Sequence, residues 1–329
     1  RKTLAGSKPS ALSFQGNFEY NRALRGRSAL KTRTRSDAGP EPRIVCIINP
    51  KAANRKWERN ILVRSYLQKN LPGRFVDTHK DKDFTVQKTA ELCADHDIIV
   101  AAGGDGTIAD VLQGIVLSGR SQELSLGILP LGSGNAFRVS LGIPLSLPRA
   151  LRIIQEGFTR EIDLIDFGGR VGTFGSLGAT ARVTWEAEHH WMPGFFGHLL
   201  AGRIMSRLSR QEQEIELFDG FDDDGVHFEH KVLNLKVFDV IIGKSSHFGY
   251  GWKVAPEAKI DDGYIDLTFF EVSGSKFLLS FPSIYFGKFQ KTQRHFKATK
   301  AIIKGKNLPV QYNGESLGKQ DVVELKILP

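Results

Sequence analysis

From Arg43 onward the apolar residues fall into two textures. As far as about residue 157, short unbroken apolar runs alternate with stretches whose apolar residues recur at helical spacing. The runs predict strands over 43–48, 74–79, 96–102 and 125–130. The stretches predict helices over 55–70, 82–94, 107–118, 134–141 and 146–156. Strand and helix in alternation argue for a parallel sheet with helices on both faces. Beyond Gly157 the runs alternate apolar with polar residues, predicting strands over 160–167, 170–177, 213–218, 227–242, 264–272, 298–304 and 321–327. Asp/Gly turns such as Asp222-Asp223-Asp224-Gly225 separate them. One helical insertion, about 194–209, breaks this pattern, which is that of an antiparallel sandwich or barrel-like domain. The division expected is a basic disordered tail over 1–41, an α/β domain over 42–158 and a β-rich domain over 159–329.

Composition narrows the class. Of 329 residues, 41% are apolar and 25% charged, as in globular domains. No apolar stretch approaches the ~20 residues that span a bilayer. The longest candidate, 277–286, is interrupted by Pro282. A soluble or peripheral chain is expected. The net charge is +9, but residues 1–43 hold ten Lys/Arg against three acids, so +7 of it belongs to the tail. Such a segment is either solvated and disordered, attracted to anionic lipid at about 1 kcal/mol per basic residue, or an organelle-targeting remnant. Nucleic-acid binding is not expected, because the basic charge lies in the tail without a recognised module. Cys46 falls in a predicted strand and Cys93 in a predicted helix, with neither metal-ligand spacing nor a disulfide framework. A reducing, cytoplasmic setting with peripheral membrane association fits. The cluster His189, His190 and His198 lacks metalloprotease spacing.

The candidate chemistry sits at strand ends. Ile98-Ile99-Val100-Ala101-Ala102 runs directly into Gly103-Gly104-Asp105-Gly106-Thr107. Glycines let a backbone approach a ligand closely, and the following helix aims its N-terminus at the same spot, where phosphate is favoured. The pentapeptide alone is equally an ordinary strand-to-helix turn. Two further turns of the same shape, Asn49-Pro50 and Leu131-Gly132-Ser133-Gly134-Asn135, shift the balance. In a parallel sheet all three would line one edge, where α/β sheets bind ligands. No Walker A pattern occurs.

In this order, with Ala255-Pro256-Glu257-Ala258, Ile260-Asp261-Asp262-Gly263 and Asn313-Gly314-Glu315 behind them, these motifs resemble the diacylglycerol kinase and sphingosine kinase superfamily over about residues 43–329. The resemblance implies a two-domain lipid kinase using ATP and Mg²⁺, with the active site in the cleft. It implies that Asn49, Pro50, Gly103, Gly104, Gly106, Thr107, Gly132, Ser133, Gly134 and Asn135 hold ATP. Asp105 would receive the lipid hydroxyl proton or organise Mg²⁺, with Asp110 and Glu315 completing the metal network. Asp261 and Asp262 would hold a second, structural cation, or form a plain β-turn.

The chain departs from the family pattern at three places. Ala109 and Asp110 stand where Asn-Glu is frequent. Ala136 stands where diacylglycerol kinases carry Asp, as in sphingosine kinases. Asn313 replaces the Asp of a late Asp-Gly-Glu, removing one candidate base or metal ligand. A lipid kinase must also reach a membrane. Trp191, Phe195, Phe196 and Leu199, leading into a helix with Arg203 and Arg207, suit either an interface or packing on the β-rich domain. The expected substrate is a sphingoid base, ceramide or diacylglycerol. A weakened lipid- or nucleotide-binding pseudokinase and a nicotinamide-dinucleotide kinase are the alternatives.

Overall fold

The computed structural model describes residues 12–15, 31–32, 41–52, 61–132, 136–189, 195–244, 246–247, 253, 255, 258–280, 282–283 and 293–329. Seven strands build the first sheet: β1 (Leu12–Gln15), β2 (Lys31–Thr32), β3 (Ile44–Ile48), β4 (Arg74–Asp77), β5 (Ile98–Gly103), β6 (Ser125–Pro130) and β7 (Phe158–Ile162), in the order β2-β7-β1-β6-β5-β3-β4. The block β1-β6-β5-β3-β4 is parallel. β7 and β2 add an antiparallel edge. Every residue of β5 is buried, as a central parallel strand covered on both faces requires. Helices α1 (Ile61–Asn70), α2 (Lys82–Leu92), α3 (Asp105–Leu117), α4 (Ala136–Ser140) and α5 (Leu147–Glu156) connect the strands. One core forms from Val45, Ile99, Leu126, Ile108, Leu112, Leu151 and their neighbours.

Two segments of the basic stretch expected to be unstructured, β1 and β2, are strands paired with β6 and β7. The predicted strand over 160–167 is two strands. β7 stays with the first sheet, the chain breaks at Asp163, and β8 (Leu164–Asp166) opens the second.

The second sheet is antiparallel throughout. It holds β8, β9 (Val171–Gly172), β10 (Phe174–Gly178), β11 (Gln211–Phe221), β12 (His227–Val237), β13 (Asp239–Gly243), β14 (Ile265–Phe270), β15 (Arg294–Tyr312) and β16 (Glu315–Leu328). The 19-residue β15 pairs with β10, β11, β14 and β16. Because β10 also pairs with β13, and β13 with β14, four strands close into a ring. Its interior is filled by Leu177, Val240, Leu267, Phe269, Phe296 and Val310. The predicted strand over 227–242 is broken at Phe238, whose ring turns into a separate small cluster with Met205, Phe270 and Phe277.

Three helices lie on this domain: α6 (Ala179–His189), α7 (Phe195–Arg207) and the short α8 (Gly274–Leu279). The inserted α7 matches expectation. α6 and α8 do not appear in the sequence pattern. What starts α6 is distant in sequence. The buried Asp239 accepts the Thr180 backbone N–H at 3.3 Å and its hydroxyl at 2.7 Å.

Candidate active site at the domain junction

β3, β5 and β6 are neighbours and parallel, so their C-terminal ends share one edge. Asn49 N donates to the Ala102 carbonyl, and Leu131 N and Gly132 N both donate to the Gly103 carbonyl, each at 3.0 Å. The Asn49 side chain is fixed from both sides. Its Nδ2 donates to Thr107 Oγ1 at 3.2 Å, and its Oδ1 accepts Lys51 N at 2.9 Å. Gly103 is required here, since a Cβ would overlap the Thr107 side chain. Asn49, Gly103, Gly104, Thr107 and Gly132 are therefore brought together, with Pro50 next to Asn49. Ser133, Gly134 and Asn135 lie outside the described residues.

Helix α3 begins at Asp105, two residues earlier than predicted, because Gly104 takes the extended N-cap conformation. Asp105 thus stands in the first turn, where the helix dipole favours a negative charge. Its Oδ1 accepts Phe137 N at 3.3 Å, which ties the first glycine turn to the second.

The β-rich domain supplies the opposite wall. β15 and β16 form a hairpin whose turn is Asn313-Gly314, placing Glu315 over the start of α3. A Cβ built on Gly106 would lie 3.3 Å from Glu315 Oε1. Lys82 Nζ pairs with Glu315 Oε1 at 2.6 Å, and Tyr312 OH approaches Oε2 at 3.5 Å. Burial first, and the Glu315 charge second, push the Asp110 carboxyl up to about 7. Asp110 on this helix and Glu315 on the facing hairpin are thus close enough to interact, and Asp105 is the residue before Gly106, over which Glu315 lies. Gln113 fastens the same helix across the junction, donating to Gly169 O at 3.2 Å and accepting Val171 N at 2.7 Å. Arg170 reaches Asp83 at 3.3 Å. Lys82, Gln113 and Arg170 escape sequence reasoning, for each acts through a partner on the other domain, and Tyr312 escapes it because only the folded hairpin turns its hydroxyl toward Glu315. Among the described residues, no three His, Cys, Asp or Glu form a ready-made metal cage.

Asn313 is buried and left-handed, at φ 45°. Its Oδ1 accepts Thr173 N at 3.0 Å and Phe174 N at 3.4 Å, while its own N–H donates to Phe174 O at 2.8 Å. The side chain shapes the turn that carries Glu315. A carboxylate oxygen could accept the same two amides, and Asn and Asp both tolerate this conformation.

Asp261 and Asp262 are engaged by protein cations. Asp261 pairs with Arg160 at 3.0 Å. Asp262 Oδ1 lies 2.6 Å from Lys244 Nζ and Oδ2 lies 2.6 Å from Lys297 Nζ. Lys244 is 0% exposed and also meets Asp163 Oδ2 at 3.0 Å and the Tyr264 carbonyl at 2.5 Å. Burial alone would raise the Asp262 carboxyl; the two ammonium groups outweigh it and hold it below the usual carboxylate range. These donors do not fit a second structural metal ion, because an ammonium already sits between Asp163, Asp262 and a carbonyl. Of the membrane candidates, Trp191 lies outside the described residues. Phe195, Phe196 and Leu199 fall in α7, their side chains outside the described set. Among the described residues, no helix is long and apolar enough to cross a membrane.

Residues 43–167 match the model of the diacylglycerol kinase catalytic domain. Residues 213–329 match the YegS C-terminal NAD kinase beta sandwich-like domain. Over these two segments the chain is similar to diacylglycerol kinase-like lipid kinases. The chain is 27% identical over 198 residues to a diacylglycerol kinase of Staphylococcus saprophyticus, covering 59% of this chain and 61% of the relative. A Staphylococcus aureus diacylglycerol kinase is 28% identical over 200 residues, covering 60% and 59%. The chain thus matches about three fifths of the length of these curated relatives. A crystal structure of a diacylglycerol kinase from Bacillus anthracis superposes with a TM-score of 0.62 at 18% identity, covering 87% of this chain and 94% of that one. A second solved structure from the same organism reaches 0.69 at 21%, covering 89% and 95%. At these identities the likeness speaks to the fold, an α/β domain joined to an antiparallel β-rich one.

Proposed function

We propose that the chain is a lipid kinase that transfers the γ-phosphoryl group of ATP to the hydroxyl of a long-chain lipid. The observation that carries this reading is the position of Asp105, at a helix N-terminus between three strand-end turns and under the Glu315 hairpin. The amides around Gly103, Gly104 and Gly132 and the side chains of Asn49 and Thr107 would hold the nucleotide phosphates. Asp105 accepts the proton as the lipid oxygen attacks phosphorus, a role worth about 10²–10⁴-fold in rate. Asp105, Asp110 and Glu315 are hard oxygen donors that would hold Mg²⁺ together with the phosphates. Burial first and the Glu315 charge second keep the Asp110 carboxyl near 7, and a divalent cation would favour its charged form. When bound, Mg²⁺ supplies charge neutralisation across the phosphate oxygens. Lys82 neutralises and orients Glu315.

Diacylglycerol is the favoured acceptor, supported by the names of the staphylococcal relatives. Ala136 keeps sphingoid bases and ceramide under test. The β-rich domain would meet the membrane surface, and the basic N-terminal stretch would draw it to anionic lipid. The pseudokinase reading rested on the loss of Asp at 313, and Asn313 has a turn-shaping duty that either residue can perform. The deciding experiment offers labelled ATP and Mg²⁺ to diacylglycerol, sphingosine and ceramide in mixed micelles, beside Asp105→Asn. Labelled lipid that vanishes in the variant supports the kinase and names its acceptor. Nucleotide binding with no labelled lipid of any class overturns it.

A further inference from the structure

A cavity of about 450 Å³ opens on the β-rich domain, away from the carboxylates. It lies between α6 and α7 on one side and the sheet on the other, lined by residues of α6, α7, β11, β15 and β16. Lys319 on its rim is four residues along β16 from Glu315, roughly 13 Å at the rise of a strand.

The local sequence explains why the space is there. Gly178 ends β10 at φ +114°, where a Cβ would press on the Phe238 carbonyl at 2.6 Å. Ala179 follows, so this stretch of the lining carries no large side chain. On the opposite side β15 is irregular between Lys304 and Leu308, with Asn307 left-handed at φ 50°. A bulge of this kind re-aims the flanking side chains. Ala179, Ile204, Leu208, Phe238 and Pro309 give the cavity apolar walls.

The charge on these walls is one-sided. Arg182, Arg207 and Lys319 come from three separate elements, against Glu186 as the one carboxylate in the lining. Glu186 is spent on Arg182, at 2.5 Å. The Arg182 guanidinium also stacks on Trp185, 4.6 Å from the ring centre, and Lys319 Nζ lies 5.9 Å from the same ring. Arg182 is thus held in place before any ligand arrives. Arg207 and Lys319 have no carboxylate partner among the described residues. Two guanidinium groups and an ammonium beside apolar walls are complementary to a phosphate carrying a hydrocarbon chain.

We propose that this cavity binds the phosphate head group of an anionic phospholipid, separately from phosphoryl transfer. The glycerol and first methylenes lie on Ala179, Ile204 and Phe238, and the phosphate meets Arg182, Arg207 and Lys319. The volume suits a head group and chain root, the rest of the lipid staying in the membrane. The site stands whether or not the chain transfers phosphate.

The test is calorimetric titration of the full chain without nucleotide, using monomeric dihexanoyl phosphatidic acid as probe. Dihexanoyl phosphatidylcholine and inorganic phosphate are the comparison ligands. A short monomeric lipid removes the attraction of the basic N-terminal stretch for a charged surface. The double variant Arg207→Glu/Lys319→Glu changes two exposed residues and leaves the apolar walls intact. The expected result is binding of the acidic lipid at least tenfold tighter than either comparison ligand, lost at least tenfold in the variant with its melting temperature unchanged. Undiminished affinity in the variant, equal affinity for the zwitterionic lipid, or equal affinity for inorganic phosphate would each overturn the proposal. Should the double variant melt early, the single change Lys319→Gln, at an exposed position, is read by the same criteria.

Discussion

Lys82, the first residue of helix α2, and Glu315, the first residue of strand β16, form a 2.6 Å ion pair across the domain junction. Glu315 is 17% exposed and Lys82 55%, so the carboxylate is the confined partner. Replacing Lys82 by Met leaves Glu315 unneutralised beside Asp110. An exposed pair of this kind contributes about 1 kcal/mol or less to stability, and the loss belongs to turnover instead. A fall in kcat of roughly tenfold, with melting hardly changed, is expected from paired kinetic and melting assays. Unchanged kcat would separate the pair from the chemistry.

Glu315→Gln tests the metal role without changing shape. The Mg²⁺ concentration for half-maximal activity should rise by roughly tenfold or more, the usual cost of disturbing a metal's surroundings. A lower kcat at an unchanged Mg²⁺ requirement would place Glu315 outside the metal network.

Asn313 allows two substitutions with opposite outcomes. Asn313→Asp keeps an acceptor for Thr173 and Phe174 and should stay within about 1 kcal/mol of the parent. Asn313→Ala leaves those amides unpaired and should cost about 1–3 kcal/mol in urea unfolding. Equal stability of the two variants would show that the turn does not depend on this side chain.

Lys244 is the central cation of a buried cluster. Lys244→Met leaves Asp163 without its ammonium and Asp262 with Lys297 alone, an expected loss of about 3–5 kcal/mol. Because the cation is part of the chain, a chelator should leave the melting temperature of the nucleotide-free protein unchanged. A chelator-sensitive melt would point to a metal ion in this cluster.

Asp239 gives a pH signal. Burial first raises its carboxyl to about 8, against the hydrogen bonds from Thr180, which lower it, and an ordinary 3.8. The folded state therefore binds more protons than the unfolded state between those values, and stability falls as pH rises from about 4 to about 8. Asp239→Asn removes this slope, so its stability relative to the parent should improve steadily over that range. Parallel pH profiles would contradict the assignment.

Much of the junction is legible in the sequence because its parts are local. Ile98 to Ala102 announces a buried strand, and Gly103-Gly104-Asp105 announces the turn behind it. The same holds for Asn49-Pro50 and Leu131-Gly132, and the texture change near Gly157 marks the second domain. What stays hidden depends on distant partners. The strand break at Phe238 follows from a pocket formed with Met205 and Phe277. Helix α6 depends on Asp239, 59 residues from Thr180. Lys244 looks like any surface lysine until Asp163 and Asp262 are placed around it.

The length of β15 has a consequence for how the molecule is made. The first sheet is complete in sequence at Ile162, and domains fold as units, N-terminal first, during synthesis. The ring of the second domain cannot shut until Arg294–Tyr312 has emerged, and Glu315 follows only after that. A nascent or truncated chain can thus own the three strand-end turns proposed to cradle the nucleotide and still lack their opposing wall. On the proposed function, catalytic competence would come last, with the final hairpin, so a prematurely ended chain would be silent rather than partly active.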